Sequence, residues 1–209
     1  MPERVSGKAA PFPYDNVDTD QIIPAQFLKL LQKKGLGKYL FYRWRFDESG
    51  NLRADFILNT PKYRDASILI AGKNFGIGSS RENAVWALVD YGIKAVLAES
   101  FGDIFYGNAV KNGLACIVLP ESTLHELRES AERRELYLTI DFARKVIEYD
   151  NRSIEFQIDE YARRRLITGE SEIEYTMKNY LKRIEEYEKG MPSFAARGID
   201  SVTRRILEG

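Results

Sequence analysis

Three short apolar runs, separated by two amphipathic stretches, constrain the fold of this chain more than any other feature. Each run has the length and composition of a buried strand, and a glycine or proline follows it closely. The predicted strands cover 67–71, 94–98 and 115–119, and the predicted helices between them cover 81–91 and 103–112. A strand–helix–strand–helix–strand order predicts a parallel sheet with right-handed crossovers. The sequence therefore predicts an α/β fold.

The loop between the first predicted strand and the first predicted helix has the composition of an anion-binding turn. Gly76 and Gly78 allow the backbone to bend sharply and to approach a ligand closely. The free N–H groups and the positive dipole end of the following helix favour an anion. Arg81 adds a planar guanidinium that matches a carboxylate or a phosphate. We therefore expect this loop to hold the acidic group of a ligand.

Ser79 and Ser80 precede the predicted helix and have two candidate roles. Either hydroxyl can cap the helix, and Glu82, three residues after Ser79, completes a capping-box pattern. In that case the loop is only a capped turn, and Arg81 is only the partner of a surface ion pair. Alternatively, Ser79 transfers a proton to and from a carboxylate ligand. Arg81, the helix N-terminus or a metal ion held by a partner would then stabilise its alkoxide.

Two other chemistries fit parts of the same loop. Gly76 and Gly78 begin a dinucleotide-binding G-x-G-x-x-G pattern, and Glu99 lies where that motif has its ribose ligand. Arg81 stands at the third glycine position, however, where close helix packing needs a small residue. A serine nucleophile requires a base, and His125 is the single histidine of the chain.

The charge balance argues against several classes of partner. Lysine and arginine together number 31, as do aspartate and glutamate, so the formal net charge is zero. A nucleic-acid binder or a polybasic membrane anchor needs an excess of basic residues. No run approaches the roughly 18 apolar residues of a spanning helix, and the first residues lack the apolar region of a signal peptide. We therefore expect a cytoplasmic protein that binds neither nucleic acid nor membranes.

The chain has one cysteine, Cys116, and this count limits the cofactors that it can hold. A disulfide within the chain is excluded, and an iron–sulfur cluster needs three or four thiolates. A zinc site rich in histidine is excluded as well, because His125 has no histidine partner. Cys116 lies in an apolar run, which predicts an inert core thiol. His125 lies in a predicted helix, where a surface or partly buried structural histidine is expected.

Three carboxylates fall within six residues of the segment 14–24, at Asp15, Asp18 and Asp20. An Asx-capped turn or helix start explains this spacing. An oxygen-ligand site is the alternative, although the glycine and distal glutamate of an EF-hand loop are missing.

The other segments before residue 66 give weaker patterns. Residues 1–13 contain three prolines and little periodicity, which predicts an arm or an edge segment. A short helix is predicted over 27–31. The segment 38–65 interleaves aromatic and basic residues, which predicts a surface excursion or a surface that packs against a partner.

The residues after 120 predict a mixed helical and antiparallel extension. Amphipathic periodicity predicts helices over 122–134, 161–167 and 172–189, and short alternating runs predict strands over 137–140, 145–149 and 153–158. Repeats and low-complexity linkers are lacking, so we expect one domain over 1–209, with a core at about 12–120 and an extension at about 121–209.

Three motifs carry a resemblance to a known family. The sequences NVDTDQIIP at 16–24, NFGIGSSRE at 74–82 and SFGDIFYGN at 100–108 occur in this order. Together they resemble the swivel domain of the aconitase superfamily, in the form found in the small subunits of 3-isopropylmalate dehydratase. The resemblance is most specific from Phe12 to Pro120, and it implies an aconitase-type swivelling β/β/α fold.

The resemblance implies a hydro-lyase reaction in leucine biosynthesis. Such enzymes interconvert 2-isopropylmalate and 3-isopropylmalate through 2-isopropylmaleate. A separate large subunit holds a four-iron four-sulfur cluster that binds the substrate. The implied partner is therefore that large subunit, in a heterodimer or higher hetero-oligomer, and no cofactor or metal is expected in this chain.

The resemblance also implies roles for the loop residues. Ser79 is implied as the base that removes and returns the carbon-bound proton. Ser80, Arg81 and Gly78 are implied to hold a substrate carboxylate, and Arg81 is also implied as a catalytic residue that offsets the charge developing on it. Asp20 matches an acidic residue that supports the aconitase site.

Some positions depart from the family pattern. Ile77 and Asn83 replace a cysteine and a histidine of many relatives, and Gln32 stands near the place of an aconitase arginine. The last departure fits an isopropyl group in place of a third carboxylate. It leaves homoaconitate-type and methylmalate- or citraconate-type substrates open as alternatives, and a specificity loop is expected within 26–46. A dinucleotide-binding module is the remote alternative.

Overall fold

One seven-stranded sheet organises the protein. The computed structural model describes residues 3–27, 33–79 and 81–191. The strands are β1 (Arg4–Phe12), β2 (Ile68–Ala71), β3 (Ala95–Ala98), β4 (Ala115–Val118), β5 (Leu136–Asp141), β6 (Val146–Tyr149) and β7 (Arg152–Glu155). Their order in the sheet is β4-β3-β2-β1-β5-β6-β7. The strands β1 to β4 are parallel, whereas β5, β6 and β7 are antiparallel to their neighbours.

Six helices accompany the sheet within residues 3–27, 33–79 and 81–169. They are α1 (Thr19–Ile22), α2 (Tyr42–Arg45), α3 (Glu82–Tyr91), α4 (Asp103–Lys111), α5 (Glu121–Arg133) and α6 (Glu160–Thr168). The predicted βαβαβ unit is confirmed as β2-α3-β3-α4-β4, and the predicted helices and strands after residue 120 are confirmed as well. Most of the short helix predicted over 27–31 lies outside the described residues.

The first strand, β1, contradicts the prediction of an arm or edge segment, because it lies in the middle of the sheet. Ala9 is paired on both sides, with Ile68 of β2 and with Leu136 of β5. Pro11 lies beyond the end of the β5 pairing and faces only Ile70 of β2. A missing N–H costs little at such a position. The prolines led the sequence analysis to miss a strand, because the partner strands of β1 lie more than fifty residues away in the sequence.

The strands β2 and β3 are buried on both faces, and their alternate residues enter different cores. In β2, Leu69 and Ala71 join the core under α3 and α4, whereas Ile68 and Ile70 join the core under α5. Cys116 is buried as predicted. His125 is exposed on α5, as expected for a surface histidine.

Much of the aromatic segment 38–65 packs on the protein's own core, whereas residues 47–55 are exposed, so the predicted surface excursion holds only for those exposed residues. Leu40, Phe41 and Phe56 are buried in the core that includes α3. The Phe41 ring lies 4.7 Å from the ring of Phe12 in β1, measured between centroids. Most of the segment is irregular, so its buried and exposed residues follow neither the helical nor the strand period, and the sequence pattern could not separate them.

Residues Met1–Gly169 and Glu170–Gly209 are two compact units. In the second unit the structure describes α7 (Glu172–Lys189), which is confirmed as a helix. The Ser171 side chain accepts a hydrogen bond from the Glu174 N–H, and the two residues form a capping box. The extents of the core and of the extension stay predictions. None of the helices in the described part of the chain has the length and apolarity needed to cross a bilayer.

Candidate active site

Three loops meet at the carboxyl ends of β1, β2 and β3, and each contains one of the three motifs noted in the sequence. The Gly76 N–H donates to the Val17 carbonyl at 2.7 Å, which joins the second loop to the first. The Phe75 N–H donates to the Ser100 carbonyl at 3.0 Å, which joins the second loop to the third. In open α/β sheets this edge is where ligands bind.

Gly76 gives the middle loop its shape. Its φ is +77°, and a Cβ at this position would lie 2.6 Å from both Cδ1 and Cδ2 of Phe105 in α4. A side chain here is therefore excluded by conformation and by space. Gly78 also has a positive φ, +94°. The two glycines turn the chain so that Ser79 is exposed above the strand ends.

Thr19 fixes the backbone at Ser79. Its buried hydroxyl donates to the Ser79 carbonyl at 3.0 Å, and its N–H donates to the Ile77 carbonyl at 3.0 Å. The Ser79 side chain makes no hydrogen bond with any residue that the structure describes. Its main chain is therefore held while its hydroxyl stays available to a ligand.

Asp20 and Arg81 form an ion pair, with Arg81 Nη1 against Asp20 Oδ1. Asp18 places Asp20 in the first turn of α1, because its carboxylate caps that helix and accepts from the Gln21 N–H at 2.7 Å. The capped helix start is one of the two interpretations that the carboxylate spacing in 14–24 left open. The Arg81 guanidinium holds the pKa of the Asp20 carboxyl below its ordinary value, against the opposing effect of burial.

The start of α3 corrects the predicted capping box. Arg81 is the N-cap residue, and among the described residues no side chain caps the helix. The Glu82 carboxylate instead accepts from the Asn112 side chain at 2.7 Å and from the Trp86 indole at 3.2 Å. A contact with a distant helix thus replaces the local bond that the sequence pattern predicted. Ser80, the other predicted cap and substrate ligand, lies outside the described residues.

These residues surround a shallow pocket of about 250 Å³. Its lining includes Gly78, Ser79, Arg81, Thr19 and Phe105. Asp20 contacts the Arg81 guanidinium through Nη1 and does not itself line the pocket. The pocket combines the Ser79 and Thr19 hydroxyls, the Arg81 guanidinium and the start of α3, with the Asp103 carboxylate at its wall. The guanidinium and the helix start suit a ligand with a carboxylate beside a reacting carbon.

The described residues contain no group of three or more His, Cys, Asp and Glu side chains that could hold a metal ion. Burial raises the pKa of the Cys116 thiol, which is also enclosed in the core. This thiol is therefore unsuited to metal binding or nucleophilic chemistry.

Comparison with known proteins agrees with this geometry. The sequence profile of the aconitase C-terminal domain matches residues 2–122. The 3-isopropylmalate dehydratase small subunit of Lactococcus lactis subsp. cremoris is 47% identical over 183 residues, which cover 88% of this chain and 94% of that one. The corresponding subunit of Cereibacter sphaeroides is 48% identical over 84% of this chain and 88% of its own length. The chain belongs to the family of 3-isopropylmalate dehydratase small subunits.

A solved structure of this family has the same fold. The crystal structure of 3-isopropylmalate dehydratase from Methanocaldococcus jannaschii superposes with a TM-score of 0.62 at 28% identity, over 88% of this chain and 99% of that one. The resemblance carried by the three motifs and the predicted aconitase-type α/β fold are both confirmed. A small subunit of this family is one part of a hydro-lyase, and its name implies a large subunit as partner.

The structure brings four predicted site residues of this small subunit together, namely Gly78, Ser79, Arg81 and Asp20. Sequence reasoning missed Thr19, although it stands between two motif aspartates. Phe105, which excludes a side chain at Gly76, lies in the third motif, but the sequence indicated no role for it. Asn112 lies outside all three motifs, and nothing in the local sequence pointed to it.

Proposed function

We propose that this chain forms the carboxylate-binding half of a 3-isopropylmalate dehydratase site. The reaction is the interconversion of 2-isopropylmalate and 3-isopropylmalate through 2-isopropylmaleate. The observation that carries the proposal is an exposed Ser79 beside an Arg81 that Asp20 orients, in one shallow pocket. The curated relatives supply the substrate class.

Arg81 binds a substrate carboxylate in this proposal. Asp20 contacts one nitrogen, Nη1, and a guanidinium has five N–H donors in a rigid fork. The remaining donors can hold a carboxylate in a two-point contact, and the Asp20 carboxylate fixes the plane of the fork. The start of α3 adds the positive end of its helix dipole at the same place. Ser80 stays a predicted second ligand of this carboxylate.

Ser79 moves the carbon-bound proton. The neutral serine hydroxyl is a weak base, so the proton acceptor is the Ser79 alkoxide, which becomes the neutral hydroxyl when it takes the proton from carbon. The site must therefore stabilise the alkoxide before the transfer. Arg81 and the helix start provide positive potential next to Ser79. Because Thr19 holds the Ser79 carbonyl, the hydroxyl keeps a fixed position relative to the bound carboxylate.

The site requires a second polypeptide. Ligand pockets commonly enclose about 300–1,000 Å³ and bury most of the ligand, whereas this one has about 250 Å³ and is open to solvent. The chain cannot hold an iron–sulfur cluster, since its one cysteine is buried in the core. The proposed large subunit covers the pocket and contributes a four-iron four-sulfur cluster, which would supply Lewis-acid chemistry at the substrate hydroxyl. A heterodimer is the smallest assembly that meets this need.

Substrate choice within the class depends on the segment 26–46. Homoaconitate-type and methylmalate- or citraconate-type acids are the alternatives, and they differ from isopropylmalate in the group beside the two carboxylates. Gln32, the position that suggested an isopropyl group, lies outside the described residues. A cytoplasmic location is part of the same proposal, because the reaction belongs to amino-acid biosynthesis.

Reconstitution tests the proposal. The purified chain should show no turnover of 2-isopropylmalate, and it should gain activity when it is mixed anaerobically with a 3-isopropylmalate dehydratase large subunit. Homoaconitate and citraconate, assayed in parallel, establish the substrate. Turnover by the chain alone, or a stable complex that converts none of these acids, would contradict the proposal.

A further inference from the structure

Asn112 directly follows α4, and each donor and acceptor of its side-chain amide has a hydrogen-bond partner. Nδ2 donates to Glu82 Oε1 at 2.7 Å and to the Asn108 carbonyl at 2.9 Å. Oδ1 accepts from Trp86 Nε1 at 3.0 Å and from Lys33 Nζ at 3.2 Å. An asparagine amide offers two donors and two acceptor lone pairs, so each of them has a partner here. A fully satisfied, partly buried amide of this kind fixes the relative position of its partners.

Glu82 links this amide to the site. It is the first residue of α3 and directly follows Arg81. Its carboxylate is held by Asn112 and by Trp86, which lies one helical turn later at 3.2 Å. Arg81, the N-cap residue, makes no capping hydrogen bond, so this cluster is a polar side-chain anchor of the first turn of α3. A shift of that turn would move Arg81 and the Ser79 hydroxyl together.

Lys33 links the same amide to the segment 26–46. It lies within the segment 26–46, in which substrate specificity is expected. Its ammonium group donates to Asn112 and lies 5.0 Å from the centroid of the Trp86 ring. Asn112 therefore bridges the start of α3 and this segment, although it does not line the pocket that contains Ser79 and Arg81.

We infer that Asn112 is a positioning residue of the active site. It acts through Glu82 to hold Arg81 and Ser79, and through Lys33 to hold the adjoining segment. This inference rests on the proposed function for its kinetic test, and its geometry can be tested without turnover.

A donor–acceptor exchange tests the inference. Asn112→Asp removes the Nδ2 donor and sets two carboxylates against each other, which should displace Glu82. We expect kcat of the reconstituted complex to fall about tenfold or more, since misplacement by 1 Å can cost about 10²-fold. Adding Glu82→Gln restores the bond in the opposite direction, and kcat should recover to within about threefold of the wild-type value. Asn151→Asp, in the exposed β6–β7 turn, adds the same charge elsewhere and should leave kcat unchanged.

The indole resonances provide the readout that is independent of activity. The chain has two tryptophans, and Trp86 Nε1 is the one that donates to Asn112. Its ¹⁵N–¹H signal should shift in Asn112→Asp and return in the double variant, while the Trp44 signal stays in place. A wild-type complex without turnover would refute the proposed function, whereas an unmoved Trp86 signal would refute the inference.

The kinetic outcomes are also decisive. An unchanged kcat in Asn112→Asp, or a loss that the double variant does not recover, would overturn the positioning role. If the Asn112→Asp chain does not fold, Trp86→Phe decides the question. It removes the indole N–H that donates to Asn112 and Glu82, together with part of the ring beside Lys33. It should lower kcat by about two- to tenfold, the equivalent of one hydrogen bond, and an unchanged kcat would refute the role.

Discussion

Gly76→Ala should destabilise the protein strongly, because the position excludes a methyl group in two ways. The φ of +77° is left-handed, and an L-residue there costs about 1–2 kcal/mol. The new Cβ would lie 2.6 Å from two carbons of the Phe105 ring, and overpacking of this kind costs about 1–3 kcal/mol. Alanine also restricts the unfolded chain, which offsets about 0.4–1 kcal/mol. The expected net loss is about 3 kcal/mol.

Thermal and urea denaturation measure this loss directly. For a protein of this size about 1 kcal/mol shifts Tm by about 2–4 °C, so Tm should fall by about 6–12 °C. Combining Gly76→Ala with Phe105→Leu should reveal a coupling free energy of about 1 kcal/mol or more, because the steric part depends on the ring. Gly107→Ala is the matched control. It lies in α4 with no atom within 4 Å of a new Cβ, and should stabilise by about 0.5–1 kcal/mol. A loss below about 1 kcal/mol at Gly76 would refute the reasoning.

Three further results are expected. Arg81→Lys should raise KM of the reconstituted complex by about 10- to 150-fold, since one ammonium cannot hold Asp20 and a substrate carboxylate as a fork does; Arg133→Lys, on the exposed side of α5, should leave KM unchanged. The Arg144 N–H and, to a smaller extent, Arg4 hold the pKa of the buried Asp141 carboxyl below its ordinary value. The ionised carboxylate therefore contributes fully to the free energy of unfolding above about pH 4, and this contribution is lost as the pH falls through the lower pKa of the folded state. Urea midpoints should therefore decline less steeply below about pH 4 in Asp141→Asn than in the wild type, and parallel declines would exclude this group as the cause. Cys116 should react with a thiol reagent only after unfolding, and rapid labelling of the native chain would contradict its burial.

Local sequence patterns predicted the elements whose stabilising contacts are themselves local or periodic. The strands β2, β3 and β4 are apolar throughout, and α3 and α4 have apolar periodicity, so their positions could be predicted. The strand β1 could not, because its pairing depends on β2 and β5, which lie far along the chain. The prolines of residues 1–13 suggested an end of the structure, but Pro11 in fact occupies the singly paired end of a central strand.

The candidate site was predicted through the motifs, whereas its internal contacts were not. The resemblance placed Asp20 and Arg81 in one site, but their ion pair spans 61 residues and follows only from the meeting of two loops. The capping-box prediction failed for the same reason, since Glu82 finds a better partner in Asn112 than in its own helix start. Tertiary contacts of this kind have no periodic signature in the sequence.

The most direct test of the account is the turnover of 2-isopropylmalate by the reconstituted complex that contains Ser79→Ala. General acid–base catalysis contributes about 10²- to 10⁴-fold, so kcat should fall by that range. Substrate affinity should change little, because Arg81 and the helix start keep their positions. A Ser79→Ala complex with a kcat near that of the wild type would show that another group moves the proton, and it would remove the central claim.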